Sequence, residues 1–167
     1  MKNLILLLTL TLTLSTPIFA QEPAPVIKEL RSIIADAGTG FQSFIGDADG
    51  RDEASATTFY KLKIEPQISI SQGFFLEKEI TKHRTFILRY NVKDLDIMML
   101  KIMMVIAQKY VDEMNAMVKS GSYTGRDYEK TDGTTVTEIK DLNGVNIVDY
   151  QSNKDQHIIL VYGTKGH

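Results

Sequence analysis

The sequence predicts an α+β protein, a two-layer sandwich whose antiparallel sheet of about five to six strands is covered on one face by a short N-terminal helix and a long central helix. Apolar residues recur every three or four positions in residues 26–34 and 95–118, which is typical of helices that bury one side. Apolar and polar residues alternate in several stretches on both sides of the second helix, which is typical of half-buried strands. The expected order of elements is α-β-β-(β)-α-β-β-β.

The N-terminal segment, residues 1–20, has the pattern of a cleavable secretory signal peptide. Lys2 supplies a positive charge, and the apolar run that follows it is shorter than the roughly twenty residues that a membrane span needs. A proline and then a small residue end the segment, so we predict cleavage between Ala20 and Gln21. We therefore expect the protein in the periplasm or the extracellular space, without stable insertion into the membrane.

The remaining sequence predicts a flexible leader at residues 21–25 and a single domain at residues 26–167, a usual length for one hydrophobic core. The chain has no cysteine, which excludes disulfides and thiolate metal sites. Its 19 basic and 21 acidic residues nearly balance, so we expect no binding to nucleic acid.

The predicted domain begins with an amphipathic helix over residues 26–34. This helix is expected to end near Gly38, because glycine adopts the left-handed cap conformation without strain. The next apolar residues, Phe41, Phe44 and Ile45, are expected to fold the chain back over the core.

An acidic stretch follows, in which Asp47, Asp49 and Asp52 have a spacing that suggests a calcium-binding loop. Gly50, however, stands fourth in that loop, where loops of the EF-hand type need glycine at the sixth position. Thr58 occupies the twelfth position, which such loops give to glutamate. We therefore expect a solvent-exposed loop without a metal ion.

Two or three antiparallel strands are expected between residues 57 and 92, where apolar side chains alternate with polar ones. Residues 73–76 suggest a turn or the start of a strand, and the polar residues 77–84 suggest the end of a hairpin. The other face of the sheet should be partly wet, because it would carry Lys61, Lys63, Arg89 and Asn146. The alternating apolar residues are Tyr60, Leu62 and Ile64, then Ile68 and Ile70, then Phe86, Leu88, Tyr90 and Val92.

A long helix is predicted from Leu95 to Val118. Asp94 is expected to cap its start, since a carboxylate can accept hydrogen bonds from the first free backbone N–H groups. Gly121 is expected to stop it.

The first half of this long helix is more apolar than one buried face requires. Ile97, Met98 and Val105 project toward its otherwise polar side, so another part of the protein should cover them. We expect the N-terminal helix and the segment 41–44 to be that cover. A second copy of the chain, which would make the protein a homodimer, is the alternative.

Three short strands are predicted after the long helix, at residues 134–139, 145–150 and 157–162. The sequence Asn143-Gly144 links the first two, because both residues accept the positive φ of a tight hairpin. The strands therefore form an antiparallel meander.

Three features together resemble small uncharacterised secreted or periplasmic α+β proteins of Bacteroidota. These are the proline-bearing leader, a helix followed by the Phe41-x-x-Phe44-Ile45-Gly46 segment, and the closing strand at residues 157–163. The resemblance covers organisation and includes no specific motif. It implies a compartment and a type of fold, and it transfers no functional residue.

Candidate catalytic groups are few, and we assign no catalytic residue. His83 stands beside Arg84 and four residues after Glu79, and these groups would have to meet in a cleft for acid-base catalysis. An exposed turn is the favoured interpretation. His157 opens a predicted strand and His167 ends the chain, so neither stands in a recognisable motif.

Methionines are concentrated at residues 98–117, which raises the question of soft-metal binding, because thioethers select copper(I). Met103 and Met114 fall on the helix side that must face the sheet, where methionine is an ordinary core residue. Met98 and Met104 lie off that side and are the candidate ligands worth testing. We expect neither a metal nor a cofactor.

The sequence favours a non-catalytic binding or interaction domain whose partner is an unknown protein or small molecule of the cell envelope. The open face of the sheet and the tyrosine-bearing segment 123–128 are the candidate binding surfaces. A small cell-envelope enzyme is the alternative, followed by metal handling through residues 98–117.

Overall fold

A computed structural model describes residues 25–63, 71–93 and 95–165. The predicted signal peptide and cleavage site lie outside this part of the chain, as do Ile64, Ile68, Ile70, Asp94 and His167. The described helices are α1 (Pro25–Asp36), which continues into a 3-10 turn (Ala37–Thr39), and α2 (Ile97–Lys119). The described strands are β1 (Ile45–Asp52), β2 (Thr57–Leu62), β3 (Ser71–Lys78), β4 (His83–Asn91), β5 (Tyr123–Glu129), β6 (Thr135–Asp141), β7 (Asn146–Ser152) and β8 (Gln156–Lys165).

The strands form one sheet in the order β1-β2-β3-β4-β8-β7-β6-β5, and every neighbouring pair is antiparallel. β1 to β4 form one meander, β5 to β8 form a second, and the two meet along β4 and β8. Each meander follows a helix, so the chain repeats one helix-and-meander unit. The α+β class agrees with the prediction, but the sheet has eight strands instead of five to six.

The two edge strands, β1 and β5, are the ones that the sequence did not indicate. Most of their residues are exposed on both faces, so the apolar alternation of a half-buried strand is absent. In β1, the Asp49 carboxylate lies 3.0 Å from Lys61 Nζ on β2. Asp52 begins the hairpin turn by accepting a hydrogen bond from the backbone N–H of Ala54 at 3.0 Å. The acidic stretch is therefore an exposed edge strand, and the prediction of a loop was wrong.

Both helices pack on the same face of the sheet and enclose the main core. α1 contributes Leu30 and Ile33, and α2 contributes Met103, Tyr110 and Met114. Alternate residues of the central strands complete this core, so the prediction that methionines of α2 pack on the sheet is confirmed. The buried strand residues are Phe75, Phe86, Leu88, Tyr90, Ile139, Val148, Tyr150, Ile159 and Val161.

The connection between α1 and β1 returns over the core through Phe41, as predicted. Its ring is fully buried, and its centroid lies 5.1 Å from that of Phe75. Gly163 on β8 leaves room for this ring, because a Cβ built there would come within 2.4 Å of it. Phe41 has a φ of 63°, a conformation that tight burial of its ring helps to maintain.

The ends of α2 are defined by side-chain and backbone caps. The Asp96 carboxylate accepts a hydrogen bond from the backbone N–H of Met99 at 2.8 Å, so the cap is two residues later than predicted. The helix ends at Lys119, and Gly121 follows with a φ of 79°, which confirms the predicted stop. No helix in the described residues is long and apolar enough to cross a membrane.

The N-terminal half of α2 carries an uncovered apolar stripe, which the prediction had placed under α1. Ile97, Met98 and Val105 are 76%, 72% and 58% exposed, and Ile102 and Met104 are exposed beside them. α1 instead lies near the other end of α2, where the guanidinium Nη2 of Arg31 donates to Glu113 Oε2 at 2.7 Å. The predicted cover was therefore wrong.

Candidate functional site

The candidate site is the sheet face that points away from both helices, called the open face below. Successive strand residues point to opposite faces, so on β4 the core residues Phe86 and Leu88 alternate with Ile87 and Arg89. Neither described helix packs on this face. Its side chains are those of Phe59, Lys61, Phe74, Leu76, Thr85, Ile87, Arg89, Ile158, Leu160, Tyr162, Ile147, Asp149, Gln151, Val136, Glu138, Lys140, Arg126 and Tyr128.

Half of the open face is apolar. Phe74, Ile87 and Leu160 lie in register across β3, β4 and β8 and form a continuous apolar row. Phe59 pairs with Leu76 beside this row, and its ring centroid lies 6.1 Å from that of Phe74. Phe59, Phe74, Leu76 and Leu160 are half-buried and Ile87 is buried, although neither described helix packs on them. We call the part of the open face on β2, β3, β4 and β8 the apolar half.

The other half, on β7, β6 and β5, is charged. Leu160 is followed in the same row by Asp149, Glu138 and Arg126, so the apolar half meets a carboxylate directly. Glu138 lies 2.7 Å from Lys140 Nζ and 3.6 Å from the Arg126 guanidinium, so its charge is compensated. The predicted polar character of this face therefore holds on these strands and fails on the apolar half, although Val136, Glu138 and Asp149 are buried.

Asp149 is the buried acid at the boundary of the two halves. It is 4% exposed, and its Oδ2 accepts a hydrogen bond from the Tyr162 hydroxyl at 2.7 Å. Its Oδ1 is buried without a hydrogen-bond partner in the described structure. Burial raises the pKa of Asp149, and the neighbouring carboxylate of Glu138 raises it further. Burial and the bond to Asp149 also raise the pKa of Tyr162.

Arg89 is the one cation of the apolar half that makes no ion pair within the described residues. Its guanidinium carbon lies 5.8 Å from the centroid of the Phe74 ring. Its Nε–H is buried and has no hydrogen-bond partner there. An unsatisfied buried donor costs about 1–3 kcal/mol, so this arginine carries an unmet requirement for an acceptor.

A second polar cluster lies on the helix side of the sheet. The hydroxyls of Tyr90 and Tyr110 lie 3.2 Å apart, and the Tyr150 hydroxyl is hydrogen-bonded to His157 Nδ1. Burial raises the pKa of Tyr150 to about 12 and lowers the pKa of His157. Tyr90 and Tyr150 of the sheet and Tyr110 of α2 are buried between the helix and the sheet, so the cluster helps to hold the helix on the sheet.

The acid-base cluster considered around His83 does not form. His83 is exposed at the start of β4, and Arg84 points to the opposite face, where its Nε donates to Glu77 at 2.6 Å. Glu79 instead lies 3.0 Å from the guanidinium Nη2 of Arg51 on β1. The alternation of the strand therefore separates the three groups.

The candidate metal ligands also remain apart. No group of three or more histidine, aspartate or glutamate side chains in the described ranges could hold a metal ion. Met98 and Met104 are exposed but lie about 120° apart around the helix. Met103 and Met114, by contrast, are fully buried in the core. The two candidate thioethers, Met98 and Met104, therefore do not converge.

The tyrosine-bearing segment is β5, and it contributes one tyrosine to each face. Tyr128 lies on the open face and Tyr123 packs against the core on the helix side. The guanidinium of Arg126 stacks 4.7 Å from the centroid of the Tyr128 ring. The polar residues Lys61 and Arg89 lie on the open face as expected, and Asn146 pairs there with Lys140 across an irregularity in the β6–β7 register.

Sequence reasoning missed Asp149 and the apolar half, although one signal for the latter was present. Residues 86–88 of β4 and 158–161 of β8 are continuous apolar runs, a pattern typical of strands buried on both faces. Comparisons with protein-family models, with curated proteins and with solved structures find no match to this chain. The open face itself is therefore the basis for any functional inference.

Proposed function

We propose that this protein is an exported, non-catalytic binding domain that holds an apolar ligand on its open face. The observation that carries the proposal is the apolar half, where an apolar row crosses three strands without a described layer above it. The exposed face of an antiparallel sheet is ordinarily polar. A contiguous uncovered apolar surface bordered by polar groups is the usual property of a binding site.

The titratable groups support binding over catalysis. The helix-side tyrosines are buried between α2 and the sheet, and the unpartnered oxygen of Asp149 is itself buried. Catalysis requires a nucleophile or base that can reach a bound substrate. The buried tyrosines and Asp149 do not meet this requirement.

Export to the periplasm or beyond rests on the sequence of residues 1–20 and on the resemblance to secreted Bacteroidota proteins. The absence of cysteine is compatible with a domain that folds on its core alone. Expression in a Gram-negative host, followed by mass spectrometry of the periplasmic fraction, tests this part. A mature chain that begins at Gln21 supports it, and a full-length cytoplasmic product contradicts it.

Binding to the apolar half is tested with Nile red, an uncharged fluorescent probe of apolar surfaces. The native chain is expected to increase its fluorescence, and Leu160→Lys or Phe74→Lys should abolish most of the increase. Met98→Lys is the matched control, because it places the same charge on the exposed stripe of α2. Circular dichroism establishes that each variant is folded. The proposal fails if the wild type binds no probe, or if only Met98→Lys loses binding.

A further inference from the structure

The apolar half offers an elongated path along β4, with a cationic side chain near one end. Arg89 lies near one end of the open-face residues of β4, with only Asn91 beyond it, and Ile87 and Thr85 follow in the other direction along the strand. The span from Arg89 to Thr85 is about 13 Å at the usual rise of a strand. The row formed by Phe74, Ile87 and Leu160 crosses this path. The surface therefore suits an extended apolar chain with one end at Arg89.

The charges around this path favour an anionic end group. Lys61, the other cation on the apolar half, lies 3.0 Å from a carboxylate oxygen of Asp49, so its charge is compensated. Arg89 has no such partner in the described residues, and its buried Nε–H lacks an acceptor. A neutral ligand would leave the charge of Arg89 unpaired, and a cationic one would be repelled. A carboxylate matches the planar fork of a guanidinium and can accept two parallel hydrogen bonds from it.

The charged half of the face restricts where that anion can lie. Asp149 stands next to Leu160, and its carboxylate would repel a carboxylate placed over β7. The negative end of the ligand is thus directed to Arg89 and its apolar end toward Leu76 and Phe59. The apolar half and the charged half together define one orientation of the ligand on the open face.

We propose that the ligand of the open face is a monomeric amphiphile with a carboxylate head group, bound through Arg89, whose apolar tail lies along the apolar half. This inference rests on the proposed binding function and adds the chemical class of the ligand. A carboxylate at this position pairs with the half-buried guanidinium of Arg89, and the tail removes the apolar row from water.

The test is isothermal titration calorimetry of the mature chain with three single-chain probes below their micelle concentrations. Dodecanoate, dodecanol and dodecyltrimethylammonium share a tail and differ in the charge of the head group. The expected order of affinity is dodecanoate, then dodecanol, then the ammonium compound. Rising salt concentration should weaken dodecanoate binding and leave dodecanol binding unchanged.

Arg89→Gln should weaken dodecanoate binding about tenfold or more, since a charge-assisted hydrogen bond is lost, and should change dodecanol binding by less than about twofold. Lys101→Gln is the matched control and should leave dodecanoate binding within about twofold, because Lys101 is exposed on α2, away from the open face. If Arg89→Gln does not fold, Arg89→Lys keeps the charge without the planar fork and should give a smaller loss for dodecanoate alone.

The outcomes separate this inference from the proposed function. Equal affinities for dodecanoate and dodecanol, unchanged by Arg89→Gln, would overturn the head-group assignment and leave the apolar site standing. Nile red binding at Leu160 without binding of any dodecyl probe would overturn the amphiphile. Absence of both kinds of binding would remove the proposed function itself. Binding to anionic vesicles but not to monomeric dodecanoate would identify a membrane surface instead and would also overturn the inference.

Discussion

The two faces of the eight-stranded sheet are built from the same strands and bury their apolar residues to different degrees. On β8, Val161 points under the helices and is fully buried, whereas its neighbour Leu160 points to the open face and is half-buried. On β3, Phe75 and Phe74 differ in the same way. Because each pair shares one backbone, strand propensity cannot explain the difference. What differs is whether a second layer covers the side chain.

The comparison separates residues that stabilise the fold from residues available for binding. The helix side is a closed core in which phenylalanines, methionines and valines exclude water. The open face keeps a comparable apolar content on its central strands and adds two unsatisfied polar atoms, Arg89 Nε and Asp149 Oδ1. Unsatisfied buried polar atoms lower stability, so their presence on one face suits a surface used for recognition.

The largest expected effect is a contrast between neighbours on β8. Val161→Asp places a charge in the closed core and should cost more than about 4 kcal/mol in the free energy of unfolding, enough to unfold the chain. Leu160→Asp places the same charge on the open face and should cost about 1–2 kcal/mol. Urea denaturation followed by circular dichroism measures both. Similar costs for the two variants would show that the faces are equally covered.

A glycine substitution tests how tightly the helix side is packed. Gly163→Ala adds a methyl group that would come within 2.4 Å of the Phe41 ring, so overpacking should cost about 1–3 kcal/mol. Gly38→Ala is the control, because a Cβ there meets no atom within 4 Å. Thermal unfolding should show a lower midpoint for the first variant and little change for the second. Equal midpoints would mean that Phe41 is not held against β8.

The buried carboxylate of Asp149 on the open face should lower the free energy of unfolding of the protein at neutral pH. Its pKa is raised in the folded state, so stability from this group is present below the unfolded pKa and is lost as pH rises through the folded pKa. At neutral pH, Asp149→Asn should therefore raise the unfolding temperature, since asparagine can still accept the Tyr162 hydroxyl bond. The gain should vanish at a pH below the unfolded value of 3.8. A lower unfolding temperature at neutral pH would show that the negative charge stabilises the fold.

The smallest effect is expected on the stripe of α2. Val105 is exposed, so Val105→Asp should change the free energy of unfolding by no more than about 0.5 kcal/mol. Thermal unfolding of wild type and variant at two protein concentrations measures this. Midpoints that rise with concentration only in the wild type would show that a second copy covers the stripe. A large loss at every concentration would show that the stripe lies inside the fold.

The sequence predicted the parts of the fold in which one face is buried and the other is wet. α1, α2, β6 and β7 have a periodic apolar pattern, and glycines or polar turns bound them. β1 and β5 lack that pattern because they are exposed edges. In β3, the adjacent Phe74 and Phe75 point to opposite faces and so conceal the alternation.

The sequence predicted that one face of the sheet is open, but it did not predict which residues form the candidate site on that face. The open face followed from the predicted two-layer order, but its apolar half depends on which strands lie at the centre of the sheet. That order is set by the pairing of β4 with β8, between residues more than sixty positions apart. The burial of Asp149 and the isolation of Arg89 depend on the same pairing, and no local pattern around either residue indicates it. The sequence showed that α2 has more apolar residues than one buried face requires. Whether those residues are covered depends on where α1 packs.

Single-cysteine labelling tests the central claim most directly, because the natural chain has no cysteine of its own. Leu160→Cys should react readily with a thiol reagent in the native free protein and should be protected by dodecanoate. Met98→Cys should react equally with and without dodecanoate, and Val161→Cys should remain unreactive until the protein unfolds. An unreactive Leu160→Cys in the native free protein, or a reactive one that dodecanoate does not protect, would contradict the assignment of the open face as a ligand-binding surface.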